Sequence, residues 1–231
     1  MKNLFLASLV SFISFQSFSQ TTEAKNTSSN FNIGYQGNIN TTGIWIPGTY
    51  KQNFIDGSVY LFPNFNGQYT VISKNGESRQ LFNLNFNLIT KTLESLISKD
   101  SVFQYNLEQF DYVISSNNKY KVNAEGDFIG LSLEVYNSPK IQFLKDVTLT
   151  IEKGVVNPMT QTMISEDKYV QFFTYYLILN NNRVKIKLSK SDILKQLIDK
   201  KDTLKEFASK NDLSFSKEDD VNKILKYYDS L

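Results

Sequence analysis

Between about residue 50 and residue 188, apolar side chains return at about every second position, and the runs are separated by Gly, Asn, Asp and Pro. Period two belongs to the β-strand, whose successive side chains point to opposite faces. Patterned this way over most of its length, a chain has few options. It folds as an antiparallel meander, a sandwich or an open barrel. Strands are expected at 57–62, 68–72, 77–86, 92–97, 103–107, 112–115, 120–122, 128–136, 141–151, 169–179 and 183–188.

Two turns anchor that reading. Lys74-Asn75-Gly76 lies between alternating runs, and Asn-Gly is a strong hairpin signal because both residues tolerate positive φ. The run Asn180-Asn181-Asn182 separates the last two strands in the same way. The return strand of the first hairpin holds the stretch LFNLNFNL, in which Asn83, Asn85 and Asn87 alternate with Leu84, Phe86 and Leu88. An antiparallel sheet can pack one face and wet the other. The Asn row is therefore expected on the solvated face.

At Ser189 the period becomes helical. Ile193, Leu194, Leu197, Ile198, Leu204 and Phe207 form one stripe, with Lys and Asp opposite. Ser189 with Asp192 reads as a cap, and Asn211-Asp212 ends the pattern. A second helix is expected to open at Ser216, with Asp219 at the capping-box position, Glu218, Asp219 and Asp220 in its first turn, and a stripe of Val221, Ile224, Leu225 and Tyr228. Two helices of this length are marginal alone. Their apolar surplus predicts an αα unit at 189–231 packed on the sheet, making the fold mainly β with a C-terminal helical hairpin, α+β overall.

The first residues resemble an export signal. Met1-Lys2-Asn3 precede the apolar stretch 4–15, and Ser17-Phe18-Ser19 offers small residues at the cleavage positions. The expected organisation is a signal peptide at 1–19, a flexible leader at 20–43 rich in Asn, Thr, Ser and Gly, and one β-rich domain at 44–231. No Cys follows the apolar stretch to carry a lipid, and no later window is long and apolar enough for a membrane helix. The formal charge of +2 is too small for a nucleic-acid partner.

The run SKSDILKQLIDKKDTLKEFASKNDLSFSKEDDVNKILKYYDSL resembles the ending of an uncharacterised family of exported proteins from flavobacteria and related Bacteroidetes. Asn211-Asp212-Leu213-Ser214-Phe215 matches that family's N-x-L-x-F link, and Tyr227-Tyr228 its final Tyr-Tyr. The stretches GTYKQNFIDGSVYL, FNLNFNLITKTLE and SVFQYNLEQFDYVISSNNKYKV are similar to earlier parts of the pattern, with Phe86 in a Tyr position. The resemblance implies export, a β body and a helical end. It assigns no functional residue.

The chain contains no His and no Cys. That removes the Ser–His–Asp triad, the Cys nucleophile, the His base and ordinary zinc or copper sites. No cofactor motif is present. Glu125, Asp127 and Glu134 are candidates for a glycosidase carboxylate pair, though Glu125-Gly126-Asp127 has turn composition. Glu166-Asp167 and Glu218-Asp219-Asp220 are candidate Ca²⁺ ligands without an EF-hand loop, and the second group reads better as a helix first turn. With 18 Phe and 13 Tyr, exposed aromatics beside Asn are a possible sugar platform. Trp45, Tyr50, Tyr60 and Tyr69 are its candidates, against the plainer reading that they fill the core. Asp100-Ser101-Val102, Asp202-Thr203-Leu204 and Asp229-Ser230-Leu231 resemble the Bacteroidetes O-glycosylation motif.

These features lead to the expectation of an exported, non-enzymatic cell-envelope protein. It would reside in the periplasm, at the outer membrane or outside the cell, and act by contact with an envelope protein or a glycan. A carbohydrate- or lipid-binding module and a carboxylate-dependent glycosidase are the alternatives.

Overall fold

The computed structural model describes residues 43–47, 55–98, 101–126 and 128–231, the first segment by its backbone alone. The expected signal at 1–19 and the leader at 20–43, Gly43 apart, lie outside the described residues, as do Tyr50, Asp100 and Asp127. Among the described residues, twelve strands form two antiparallel sheets. The smaller takes β1 (Gly43–Pro47), β4 (Leu84–Asn87), β5 (Thr92–Ser98) and β6 (Ser101–Tyr105) in the order β1-β6-β5-β4. The larger holds β2 (Gln68–Ser73), β3 (Ser78–Phe82), β7 (Phe110–Ser115), β8 (Asn118–Asn123), β9 (Gly130–Asn137), β10 (Ile141–Glu152), β11 (Lys168–Leu179) and β12 (Asn182–Ile186). Its order is β12-β11-β10-β9-β8-β7-β2-β3, so six consecutive strands form a meander and the β2–β3 hairpin adds to its end. The expected mainly-β, α+β class is the one observed.

The two hairpin signals hold. Gly76 has φ +82°, and its N–H donates to the Ser73 carbonyl. Asn180 and Asn181 have φ +50° and +62°, the left-handed pair that turns β11 into β12. The return strand expected at 77–86 does not hold as one strand. Asn83 sits at φ +53°, so the chain leaves the larger sheet as β3 and enters the smaller one as β4. Asparagine tolerates this backbone because its short polar side chain costs little there. The expected strand at 57–62 is also absent. That segment makes only an isolated bridge from Tyr60 to Asn87, with one more from Asp56 to Lys168 just before it.

The register sets one packed face. Val71, Val113, Tyr120 and Leu133 are cross-strand partners in sequence across the larger sheet, and Phe143, Val147 and Leu177 share their side. Over the first half of that face lies the smaller sheet, whose Leu84, Phe86, Leu93 and Tyr105 join Val71, Leu81, Val113 and Leu131 in one core. Over the second half lie the helices.

The helical segment opens as read, with Ser189 Oγ accepting the Asp192 N–H. It forms three helices rather than two: α1 (Lys190–Gln196), α2 (Lys201–Lys210) and α3 (Glu218–Asp229). The chain leaves helical geometry at Leu197, with ψ +47°, and passes through a 3-10 turn, Ile198–Lys200. Ile198 therefore turns outward, 74% exposed, although the stripe assigned it to the core. Asp212 at φ +50° ends α2 as the reading required. Leu213 N–H donates to the Ala208 carbonyl in a Schellman closure. The N-cap of α3 is Lys217, not Ser216, and Glu218, Asp219 and Asp220 form its first turn. Leu194, Leu197, Leu204, Ile224 and Leu225 pack with Ile141, Phe143, Leu177 and Ile186, so the unit is docked on the sheet as expected.

Candidate functional site

The Asn row is wet only in part: Asn83 is exposed and Asn87 half-buried. Asn85 is 1% exposed. Its Nδ2 donates to the Phe62 and Asn64 carbonyls at 3.0 and 3.2 Å, and its Oδ1 accepts the Phe62 N–H at 2.9 Å. Residues 59–61 pair briefly with β4, the Leu61 N–H donating to the Phe86 carbonyl and the Leu88 N–H to the Val59 carbonyl. Beyond them the Asn85 side chain takes over for the Phe62 backbone, because backbone polar groups buried without partners are costly. Asn87 caps the β4–β5 turn by accepting the Ile89 and Thr90 N–H groups. Next to these lies a buried carboxyl. Glu94 Oε1 accepts hydrogen bonds from Thr92 Oγ1 at 2.8 Å, Gln104 Nε2 at 2.8 Å and Asn87 Nδ2 at 3.4 Å. Tyr60 Oη donates to its Oε2 at 2.9 Å. Burial, with Glu94 beside it, pushes the Tyr60 phenol far above its ordinary value. All four neighbours are donors, so the group is satisfied inside the protein.

A second polar row crosses the other face of the larger sheet. Tyr112, Lys121, Ser132, Asp146 and Thr174 are successive cross-strand partners from β7 to β11. Asn123 Nδ2 donates to Ser132 Oγ at 2.8 Å, Ser132 Oγ donates to Asp146 Oδ1, and Arg183 Nη2 pairs with Asp146 Oδ2. The Arg183 guanidinium lies 4.1 Å from the centre of the Tyr176 ring. A serine bonded to an aspartate is a possible nucleophile pair. Here both residues are fully buried and the hydroxyl already has its donor, so the row ties strands together.

Burial raises the Asp146 carboxyl above its ordinary 3.8, with Ser132 and Arg183 pulling it partly back. A carboxyl whose pKa is raised on folding stabilises the fold fully below its unfolded pKa, and that contribution is lost as pH rises through its folded value. Between pH 4 and 7, wild-type stability should therefore fall relative to Asp146→Asn, read by urea unfolding at each pH. A wild type that instead gains on the variant with rising pH would mean that the Arg183 pairing outweighs desolvation.

The sequence candidates do not converge. Glu125 is exposed in the β8–β9 connection, whereas Glu134 on β9 is held by Lys119 at 3.2 Å and Asn137 at 3.0 Å. Tyr69 is buried, its ring 5.2 Å from that of Phe62, and Tyr60 faces Glu94, so neither offers a sugar platform. The plainer core reading holds for Tyr69, whereas Tyr60 is half-buried and spent on the Glu94 carboxyl. Trp45 lies in β1 opposite Phe103 in register. Glu218 accepts from Lys145 and Tyr175, tying α3 to the sheet. Asp202 pairs with Lys205, and Asp229 accepts from Tyr136 and Ser138. Among the described residues, no three Asp or Glu groups gather in a metal-binding arrangement.

What the sequence reading passed over is the β10–β11 hairpin. Each strand has 12 residues. β10 pairs with β9 only from Gln142 to Asp146, and β11 pairs with β12 only from Tyr175 to Leu179. The distal half is therefore a two-stranded ribbon. Val147 and Leu149 still pack on the core, and Gln171 Nε2 donates to the Tyr60 and Leu61 carbonyls. Beyond Glu152 and Lys168 the ribbon continues as a loop. A Cβ on Gly154 would lie 2.1 Å from the Ser165 carbonyl oxygen, so only glycine allows that approach. Asp167 locks the base, accepting Lys153 Nζ at 2.6 Å and the Gly154 N–H at 2.9 Å, and these donors hold its carboxyl below the usual range. Residues 154–165 carry no charge, and Val155, Val156, Met159, Met163 and Ile164 are all exposed, as are Ile151, Phe172 and Phe173 nearer the sheet. The available signal was compositional: an uncharged stretch with two Met, two Val and one Ile between two long strands.

No family model matches the chain, and no curated protein or solved structure is similar to it.

Proposed function

We propose that this is an exported, non-enzymatic protein of the cell envelope that works by contact, and that the distal β10–β11 hairpin is its contact element. One contrast carries the reading. The acidic groups best placed for chemistry, Glu94 and Asp146, are buried and hydrogen-bonded within the fold, whereas the hairpin presents exposed apolar side chains at an uncharged end. Exposed apolar surface of this kind marks interaction sites. The apolar stretch at 4–15 followed by Ser17-Phe18-Ser19 supports export. Membership in the exported Bacteroidetes family belongs to the same proposal, as does a location in the periplasm, at the outer membrane or outside the cell.

The test is expression in a flavobacterial host, with mass spectrometry of the N-terminus and fractionation of the cells. The expected result is a chain beginning at Gln20 in the envelope or the medium. A cytoplasmic protein with residues 1–19 intact would contradict the reading.

A further inference from the structure

We infer that the tip of the β10–β11 hairpin, residues 155–164, inserts into the surface of a lipid bilayer. The inference rests on the hairpin's being the contact element and names what that element touches.

The arrangement of the apolar side chains selects the occupant. Val156 and Met163 face each other across an antiparallel bridge, so they share one face of the ribbon. Val155 and Ile164 are the next pair, with the Ile164 N–H donating to the Val155 carbonyl at 2.7 Å, and they share the other. Met159 stands at the apex, 91% exposed. A protein groove takes one face of a hairpin. A ribbon that is apolar on both faces and at its end suits a medium that surrounds it.

Size points the same way. With Val155, Val156, Met159, Met163 and Ile164 46–91% exposed, the tip offers on the order of 500 Å² of apolar surface. A stable protein interface needs about 800 Å² from each partner. Lipid makes no such demand for shape, and apolar area alone drives entry.

The polar groups of the tip are also largely satisfied internally, as an apolar medium requires. Asn157 Oδ1 accepts the Met159 and Thr160 N–H groups at 2.9 and 3.3 Å, the Asn157 N–H donates to the Thr162 carbonyl at 2.8 Å, and the Gln161 N–H donates to the Asn157 carbonyl at 2.9 Å. Gln161 Nε2 donates to the Pro158 carbonyl. With no charge between residues 154 and 165, binding is expected to be insensitive to salt.

Because the chain has no cysteine, a single introduced one can be labelled cleanly. The experiment uses the full chain as recovered from cells, with an environment-sensitive fluorophore on Met159→Cys or, as a control, on Ser209→Cys at the exposed side of α2. Vesicles of phosphatidylethanolamine and phosphatidylglycerol carry a quencher in the acyl chains. The label at 159 should shift to the blue and be quenched equally at low and high salt, while the label at 209 stays in water. Met163→Asp with Ile164→Asp should lower vesicle partitioning about tenfold or more, since an exposed apolar contribution is replaced by charges that resist the bilayer. A label at 159 that stays in water beside vesicles overturns the proposal. If replacing the tip still releases the protein from the cell envelope, the hairpin remains the contact element and its partner is a protein. A blue shift that follows protein concentration without vesicles also overturns it, in favour of a second copy of the chain.

Discussion

Asn85→Leu is expected to destabilise the protein by roughly 3–5 kcal/mol, because it strands several buried backbone groups at about 1–3 kcal/mol each. Leucine has the branching and heavy-atom count of asparagine without its hydrogen bonds, and its bulkier methyl groups add to the cost. The Asn85 Nδ2 serves the Phe62 and Asn64 carbonyls, and its Oδ1 serves the Phe62 and Phe86 N–H groups. Single domains have only about 5–15 kcal/mol in total, so the melting temperature should fall by about 10 °C or more. Asn85→Asp keeps the acceptor and loses both donated bonds, setting carboxylate oxygens against two carbonyls. It should also destabilise. A leucine variant as stable as wild type would mean that the amide is wet, as simple alternation suggests.

Leu197→Asp is expected to be as damaging, on the order of 4 kcal/mol, since an unpaired carboxylate enters an apolar contact. Leu197 is fully buried among residues of the helices and of β10, β11 and β12. Its neighbour supplies the control. Ile198→Asp should change stability by no more than about 0.5 kcal/mol, the usual range for exposed positions. The loss at Leu197 should appear as one cooperative transition of the whole protein, because the helices are docked on the sheet. An early transition confined to the helical signal would show a detachable unit instead.

These two residues mark how far the fold was legible in the sequence. Period two located nearly all the strands of the meander, and Gly76 and the Asn180-Asn181 pair fixed their turns because positive φ is a local property of those residues. The change of period at Ser189, its cap and the Asp212 stop are local in the same sense. What failed depended on partners distant in the chain. Alternation puts Asn83, Asn85 and Asn87 on one wet face, but it does not say that Asn83 turns the chain from one sheet to the other or that Asn85 is buried holding the Phe62 backbone. Nor does a helical stripe reveal that the chain will leave the helix at Leu197 and turn Ile198 to solvent.

The candidate site was less legible for the same reason. Glu94 and Asp146 occupy alternation slots that read as exposed. Their distant donors reach them only through the register of β4, β5 and β6 with Tyr60 beside it, or of β9 to β12. Glu125 and Glu134 draw attention as carboxyls near strand ends, yet they end in a turn and an ion pair. The hairpin tip was visible as an uncharged stretch, but its meaning depends on Val156 and Met163 facing one way and Val155 and Ile164 the other.

The central claim is that the buried polar groups maintain the fold while the hairpin tip makes the contact. Replacing residues 155–164 by Asn-Gly, which closes the ribbon between Gly154 and Ser165, separates these two roles in one variant. The account predicts a melting temperature within about 3 °C of wild type, the shift expected for 1 kcal/mol in a chain of this size, together with loss of the protein from the envelope fraction. A variant that stays with the envelope, or one that unfolds on losing the tip, would contradict it.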